Sequence, residues 1–525
     1  IDSKFNHPQP DRAKDIVLYL DDKSVVKVNL FLIKKGGRIQ PKNPGAKSFF
    51  EKYFLSKHLQ EKFNEAFEKK YLEFLKKIVE VKNGIHYIND KRELRKIVSL
   101  HFPKFTSEIN PIRDKFLYDL REECYLLLKD SYNDKNKGYF HAYNAFFMTD
   151  DLNIITYYGS SDSDVLVNEF NPGTPSFKDI QLYKNGKNTV GIKYGEVGLT
   201  LRFKFESNPT SSIKLATSFE ENLNNSDVIE INNKTIRKMN ELIKTHTYEN
   251  TSNSSNAIGK CHEALTYYYF LKDYPHISQV EPNDCVKLMD KYYSSVNPDV
   301  LDNLYDATSS IVPVIKEKLD EKYKSYNIDS IELVPDSYIA DKLNTGDIQL
   351  ILKDRDNYIV ENISLKALAK SGNKITTKNP GIGTILGPTF FNVGSMEPVV
   401  NEVKTKFELG ELTHKDSLVT LAAELGNQLK GATQSQLKQG VENLLGKCMM
   451  AITFYSENIS YCKEHKNING PINLYINKPT PIQNTLSWND DLEEISIRVK
   501  FSRGKQHGWS SIKLTSEYQL RVKNR

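Results

Sequence analysis

Three polar residues in the second half of this 525-residue chain stand among apolar neighbours, and together they could hydrolyse a phosphate ester. Glu263 lies in Gly259-Lys260-Cys261-His262-Glu263-Ala264-Leu265, on an otherwise apolar helical stretch. Asp347 follows Asn344-Thr345-Gly346 and opens the hydrophobic run Ile348-Gln349-Leu350-Ile351-Leu352. Lys366 ends another apolar run, Ile363-Ser364-Leu365-Lys366. Alternation along a strand puts Ser364 and Lys366 on one face and Ile363 and Leu365 on the other. A lysine in a strand bound for a core is costly unless paired, and the carboxylates of Glu263 and Asp347 are natural partners. The same carboxylates could hold Mg²⁺, which favours a few carboxylates and keeps waters for a phosphate substrate. The lysine would orient or help deprotonate the attacking water, and the metal would offset charge growing on the phosphate. The competing reading is structural: Lys366 snorkels from a strand end and Asp347 caps a turn.

The elements that must carry these residues occur twice. Asp15-Ile16-Val17-Leu18-Tyr19-Leu20, the apolar Val28-Asn29-Leu30-Phe31-Leu32 and the turn Lys42-Asn43-Pro44-Gly45 match 347–352, 363–368 and Lys378-Asn379-Pro380-Gly381. The basic glycine-bearing stretches 34–39 and 370–375 correspond as well, and the segments 202–205 and 211–215 match 498–501 and 510–514. The second copy carries a lysine in its second strand where the first has only Leu30, Phe31 and Leu32. One kept and one lost charged site implies one working centre and one retired copy. The expected domains are 1–250, the degenerate copy, and 251–525, the copy that keeps its site, with the polar stretch 250–256 as linker. Because the chain opens on Ile1, an N-terminal segment holding a counterpart of the Glu263 helix is expected upstream.

Apolar spacings of three and four predict helices over 49–81, 113–129, 257–271, 298–323 and 417–445, the last broken near Gly431. Strands are predicted over 154–158, 190–194, 198–205, 213–216, 331–334, 348–352, 358–365, 451–455, 472–476, 495–501 and 512–514. Helices and strands mix without strict alternation, so the expected class is α+β (mixed α/β). An apolar content of 39%, with 29 Tyr and 25 Phe, supports ordinary globular cores. The hydrophobic runs are short, so no membrane span or secretory leader is expected. Five cysteines without a CxxC pair fit a reducing cytoplasm. The eleven histidines form no ligand-spaced cluster with them, which argues against zinc.

A net charge of +5 does not by itself announce a nucleic-acid binder, but its distribution does more. Residues 498–525 hold eight Lys/Arg and one acid, and residues 366–378 hold four lysines and no acid. Local basic patches give phosphate contacts even at modest total charge. The candidates are Lys370, Lys374, Lys378, Arg498, Lys500, Arg503, Lys505 and Lys513, against the plainer reading of a solvated surface. Asn427, Gln428 and Lys430 are expected on a solvated helix face. The 378–383 stretch is glycine-rich but lacks a phosphate-loop pattern, so no nucleotide site is assigned.

An acid opening one strand, then a lysine two residues after a polar position on the next, resembles the PD-(D/E)XK nuclease fold. The Gly259-Lys260-Cys261-His262-Glu263 helix is similar to that family's helix-borne glutamate. The resemblance covers residues 255–370, and more loosely the rest of the second copy, with type II restriction endonucleases the most similar group. It implies two related restriction-endonuclease-like domains, each a central mixed sheet flanked by helices. It also implies a Mg²⁺-dependent phosphodiesterase, with Mn²⁺ as substitute, cutting double-stranded DNA in the cytoplasm, with a second copy of the chain as a possible partner on the duplex. Residue by residue, Asp347 matches the metal-binding acid and Lys366 the lysine. Ser364 falls where a second acid is usual, and Glu263 could supply that carboxylate. Glu361 has the wrong strand parity. Asp336, in Val334-Pro335-Asp336, is an alternative acid leading into a loop-like stretch. His262 is expected to pack or lie at the surface, since adjacent helix residues point in different directions. The competing functions are a non-catalytic DNA-binding or assembly protein built from degenerate nuclease folds, and a repair nuclease.

Overall fold

The computed structural model describes residues 2–4, 15–34, 43–82, 89–147, 149, 151–159, 163–169, 175–195, 197–221, 225–249, 254–324, 326–336, 346–354, 357–465, 468–503 and 507–521. Lys505, the stretches 35–42 and 250–253, and Asn344 and Thr345 lie outside the described residues. The chain divides into two compact units, one of Ile1–Val228 with Lys353–Tyr358, the other of Ile229–Leu352 with Ile359–Arg525. Helices and several sheets mix in each, as the α+β expectation requires. Among the described residues no helix is long and apolar enough to cross a membrane.

The first unit holds a five-stranded sheet in the order Asp2–Lys4, Ile16–Tyr19, Val25–Lys34, Leu152–Tyr158, Ser163–Glu169. The Ile16–Tyr19 strand runs antiparallel to Val25–Lys34, which runs parallel to Leu152–Tyr158, which runs antiparallel to Ser163–Glu169. A second, antiparallel sheet is a meander of Ile180–Asn185, Thr189–Tyr194, Val197–Phe205 and Ile213–Glu221. The helix Lys57–Glu80 buries Leu59, Phe63, Phe67, Tyr71, Phe74 and Ile78, a stripe at spacings of three and four. The helix predicted over 49–81 is broken into Phe49–Tyr53 and Lys57–Glu80. Leu55 takes a positive φ of 53°, and the Ser56 side chain caps the new helix by accepting from the Leu59 N–H.

The second unit places the candidate site on a six-stranded mixed sheet. Its order is Ser278–Gln279, Asn327–Leu333, Ile348–Asp354, Asn357–Leu368, Met449–Phe454, Ile459–Lys463. Asn357–Leu368 runs parallel to Met449–Phe454, which runs antiparallel to Ile459–Lys463. One face is covered by the helix Ser254–Asp273, which is buried almost all round from Cys261 to Leu271. Its Cys261, Ala264 and Leu265 share a core with Ile348, Leu350, Ile363 and Leu365. A five-stranded antiparallel sheet follows, ordered Lys374–Thr376, Ile512–Leu520, Glu493–Phe501, Gln483–Trp488, Asn473–Tyr475. It packs with the helices His414–Lys430 and Gln434–Leu445 around Leu421, Leu425, Leu444, Ile497 and Leu514. Those two helices are separated near Gly431, as predicted, and Thr433 caps the second of them. The single helix expected over 298–323 is two, Pro298–Thr308 and Ile311–Lys322.

The segments that repeat in sequence also pair alike. Lys204 faces Lys214 and Phe205 faces Ile213 in the first unit; Lys500 faces Lys513 and Phe501 faces Ile512 in the second. Each Asn-Pro-Gly turn docks on the last strand of its meander. Leu215 N–H donates to Pro44 O at 3.0 Å, and Leu514 N–H donates to Pro380 O at 3.3 Å. Thr217 N–H donates to Asn43 Oδ1 at 3.2 Å, and Ser516 N–H donates to Asn379 Oδ1 at 3.0 Å.

Candidate active site

Asp347 is fixed by backbone before its side chain acts. Its N–H donates to Ile363 O at 2.8 Å, and its own carbonyl accepts from Val334 N–H at 3.0 Å. Gly346 makes this approach possible, because a Cβ there would lie 2.7 Å from the Cβ of Asn362. The carboxylate then reaches across to the neighbouring strand. Its Oδ2 accepts from Leu365 N–H at 2.6 Å and from the Ser364 hydroxyl at 3.3 Å. The Lys366 ammonium lies 3.6 Å from the same oxygen, an ion pair rather than a good hydrogen bond. Ser364 and Lys366 therefore meet Asp347 on one face of their strand, as alternation requires.

Glu263 approaches from the helix. It is 8% exposed, and burial together with the negative charge of Asp347 raises its carboxyl pKa well above the usual range. Both of its oxygens accept from Lys260, at 2.9 and 3.0 Å, and that ammonium also reaches Asp336 Oδ1 at 2.8 Å. The attraction of Glu263 and Asp336 holds the Lys260 ammonium protonated, its pKa raised despite partial burial. The sequence motif contained Lys260 but gave it no role. Its position three residues before Glu263 on one helix was the available signal.

The remaining candidates have plainer surroundings. His262 is fully buried, and its Nε2 lies 2.8 Å from the Thr453 hydroxyl. Burial, then the charge of Lys366, lowers its pKa to about 3, so it is neutral at ordinary pH. Glu361 is engaged by Lys322 at 2.6 Å and by the Tyr323 hydroxyl, away from Asp347. Gln428 bonds Glu424 along its own helix, and Asn427 and Lys430 are exposed. Arg498, Lys500 and Lys513 are exposed on one face of the antiparallel sheet, with Lys500 directly opposite Lys513. Lys370 and Arg503 are exposed too, Lys374 lies 3.5 Å from Glu517, and Lys378 is half-buried.

The first unit has a matching carboxylate but different neighbours. Asp15 Oδ2 accepts from Leu30 N–H at 2.7 Å, the contact Asp347 makes with Leu365. The residues flanking that N–H are Asn29 and Phe31, where the second unit has Ser364 and Lys366. The Asn29 amide donates to Asp151 at 3.2 Å and to Asn153 at 2.9 Å.

The donor chemistry of Asp347 and Glu263 fits a hard divalent cation, since both offer carboxylate oxygens. Burial and the charge of Asp347 raise the pKa of Glu263, and a bound cation would oppose that shift. Among the described residues no three His, Cys, Asp or Glu side chains form a ready ligand cluster. An ion there would take its remaining ligands from water and from phosphate.

A protein 60% identical over 520 residues, covering 99% of this chain and 90% of its own length, is the type II restriction enzyme BsuRI of Bacillus subtilis. No protein-family profile matches the chain, and no solved structure matches it.

Proposed function

The chain belongs to the type II restriction enzymes, and from that premise we propose that its second unit cuts sequence-specific sites in double-stranded DNA with a Mg²⁺ ion bound at Asp347 and Glu263. The observation that carries the assignment is the convergence of Lys366, Ser364 and the Leu365 N–H on a single oxygen of Asp347. When bound, the divalent ion would offset charge on the phosphate and lower the pKa of a bound water. The protein residues do the rest. Asp347 and Glu263 supply the anionic cradle, and backbone bonds hold Asp347 in place before substrate arrives. Lys366 sets a positive charge beside the reacting phosphate, where it orients the attacking water. Ser364 carries no charge, so Glu263 takes the part of the second acid.

We read the two units, which divide at Val228 rather than near residue 250, as copies of one PD-(D/E)XK-type domain. Matching strand senses, matching register at Lys204–Lys214 and Lys500–Lys513, and the shared carboxylate-to-backbone bond support this. The first copy, with Phe31 beside its Asp15 contact, recognises or scaffolds DNA and does not cut. In the second, Arg498, Lys500 and Lys513 face the duplex backbone, with Arg503 and Lys505 nearby in sequence and Lys370, Lys374 and Lys378 on or beside the strand that pairs with Ile512–Leu520. Like charges directly opposite on a sheet are destabilising, and a polyanion relieves the Lys500–Lys513 pair. The test is incubation of plasmid and phage DNA with Mg²⁺, with Mn²⁺ and with chelator. Discrete fragments with either metal and intact DNA with chelator are expected. Cleavage in chelator, or binding without cleavage in every metal, contradicts the reading.

A further inference from the structure

The ammonium of Lys260 occupies the position a cation would take among these acids. Three carboxylate oxygens surround it, at 2.8, 2.9 and 3.0 Å, one for each of its N–H groups. Its two partners differ in accessibility: the Glu263 side chain is 10% exposed and that of Asp336 is 63% exposed. Glu263 also feels Asp347 and Asp336 as like charges. Without a cation at this point the cluster would hold several anions in a poorly solvated place, which is costly. A divalent ion engaging Glu263 must therefore dislodge the ammonium, and Asp336 gives it a solvated carboxylate to retreat to.

We propose that Lys260 is the resident counter-cation of the acidic cluster, a positioning residue that keeps Glu263 in place without metal and moves onto Asp336 when a divalent ion binds. The proposal rests on the metal-site reading above. It makes Asp336, the runner-up acid in the sequence, an anchor for Lys260 rather than a metal ligand.

Removing the Lys260 ammonium and removing its exposed partner Asp336 should act with opposite signs, which a merely structural role would not produce. The measurement is Mn²⁺ binding to the full chain without DNA, followed by electron paramagnetic resonance of free Mn²⁺. Lys260→Met removes a competing positive charge and should tighten Mn²⁺ binding about tenfold. Asp336→Asn removes the retreat site, leaves the ammonium on Glu263, and should weaken binding roughly threefold. Lys260→Arg keeps the charge and should stay near wild type. Lys260→Gln stands in if the Met variant does not fold, as judged by its melting curve. A folded Lys260→Met or Lys260→Gln variant with unchanged or weaker Mn²⁺ affinity overturns the proposal. So does tighter binding by Asp336→Asn. Asp347→Asn separates the two levels of inference. If wild type binds Mn²⁺ and Asp347→Asn abolishes it while Lys260→Met changes nothing, only the role of Lys260 falls. If wild-type binding is absent or insensitive to Asp347→Asn, the metal site itself is misplaced and the Lys260 proposal falls with it.

Discussion

At the scale of single residues, the site depends on how much is aimed at one oxygen. Asp347 Oδ2 meets a backbone N–H, a hydroxyl and an ammonium. The backbone bond fixes the side chain, so the carboxylate need not be ordered by the metal. Lys366 lies close enough to offset its charge, and burial raises the pKa of the second acid, Glu263, even with the Lys260 ammonium on both of its oxygens. Asp347→Asn keeps the shape and an acceptor for Leu365 but removes the charge. Lys366→Met keeps the aliphatic stem and removes the ammonium. Both should lower the cleavage rate by about 10³-fold or more, because each loses stabilisation realised at the reacting phosphate. Duplex affinity in chelator should stay close to wild type, since docking draws on other cations. Plasmid cleavage and filter binding on the same preparations check this. Cutting at the wild-type rate by Asp347→Asn removes it from the site and makes Asp336 the next acid to test.

At the scale of elements, the antiparallel sheet of the second unit carries a feature that folding alone does not favour. Lys500 and Lys513 face one another, with Arg498 exposed on the same side. In the first unit the corresponding Lys214 is paired with Glu206 at 2.6 Å, whereas Ser502 follows Phe501 where Glu206 follows Phe205. Lys500→Ala with Lys513→Ala should weaken DNA binding at every sequence and reduce the slope of log affinity against log salt by about 1 per lysine. The same change should leave folding stability equal or higher by a few tenths of a kcal/mol, because a like-charge pair is removed. A denaturation curve that shifts down while the salt slope stays fixed would assign these lysines to folding instead. Which elements were legible in the sequence follows the same physics. The Lys57–Glu80 helix and the strands Val197–Phe205 and Glu493–Phe501 have one apolar face, so periodicity reveals them. The break at Leu55 was hidden, since a leucine with positive φ follows no local preference. The helix Asn225–Lys244 was missed because Asn and Thr favour caps and turns over helix interiors. Asp347 and Lys366 were readable because two strands bring neighbours in sequence together. The Lys260–Asp336 bond joins residues 76 apart, across several intervening helices, and only the folded chain displays it.

At the scale of the whole molecule, the number of cutting centres decides how a duplex is broken. Each unit contains a carboxylate bonded to the backbone of the adjoining strand, at Asp15 and at Asp347. The residue after that backbone N–H is Phe31 in one and Lys366 in the other. A phenyl ring neither neutralises a carboxylate nor orients water, so on the proposed reading one chain carries one centre. Two antiparallel strands then require either two successive encounters or a second chain recruited to the site. On supercoiled plasmid at limiting enzyme, nicked circles should appear before linear DNA. If a second chain is needed, the linear-forming step should depend on enzyme concentration while the first nick does not. Asp15→Ala should leave both steps within about twofold of wild type, because on this reading only an exposed structural bond is lost, from the unit that does not cut. Concerted cleavage of both strands by a chain shown to be monomeric on DNA, and abolished by Asp15→Ala, would make the first unit a second active centre. Its acid would then be Asp15, with the hydrogen-bonded polar cluster of Asn29, Asp151 and Asn153 in the same unit as further candidates.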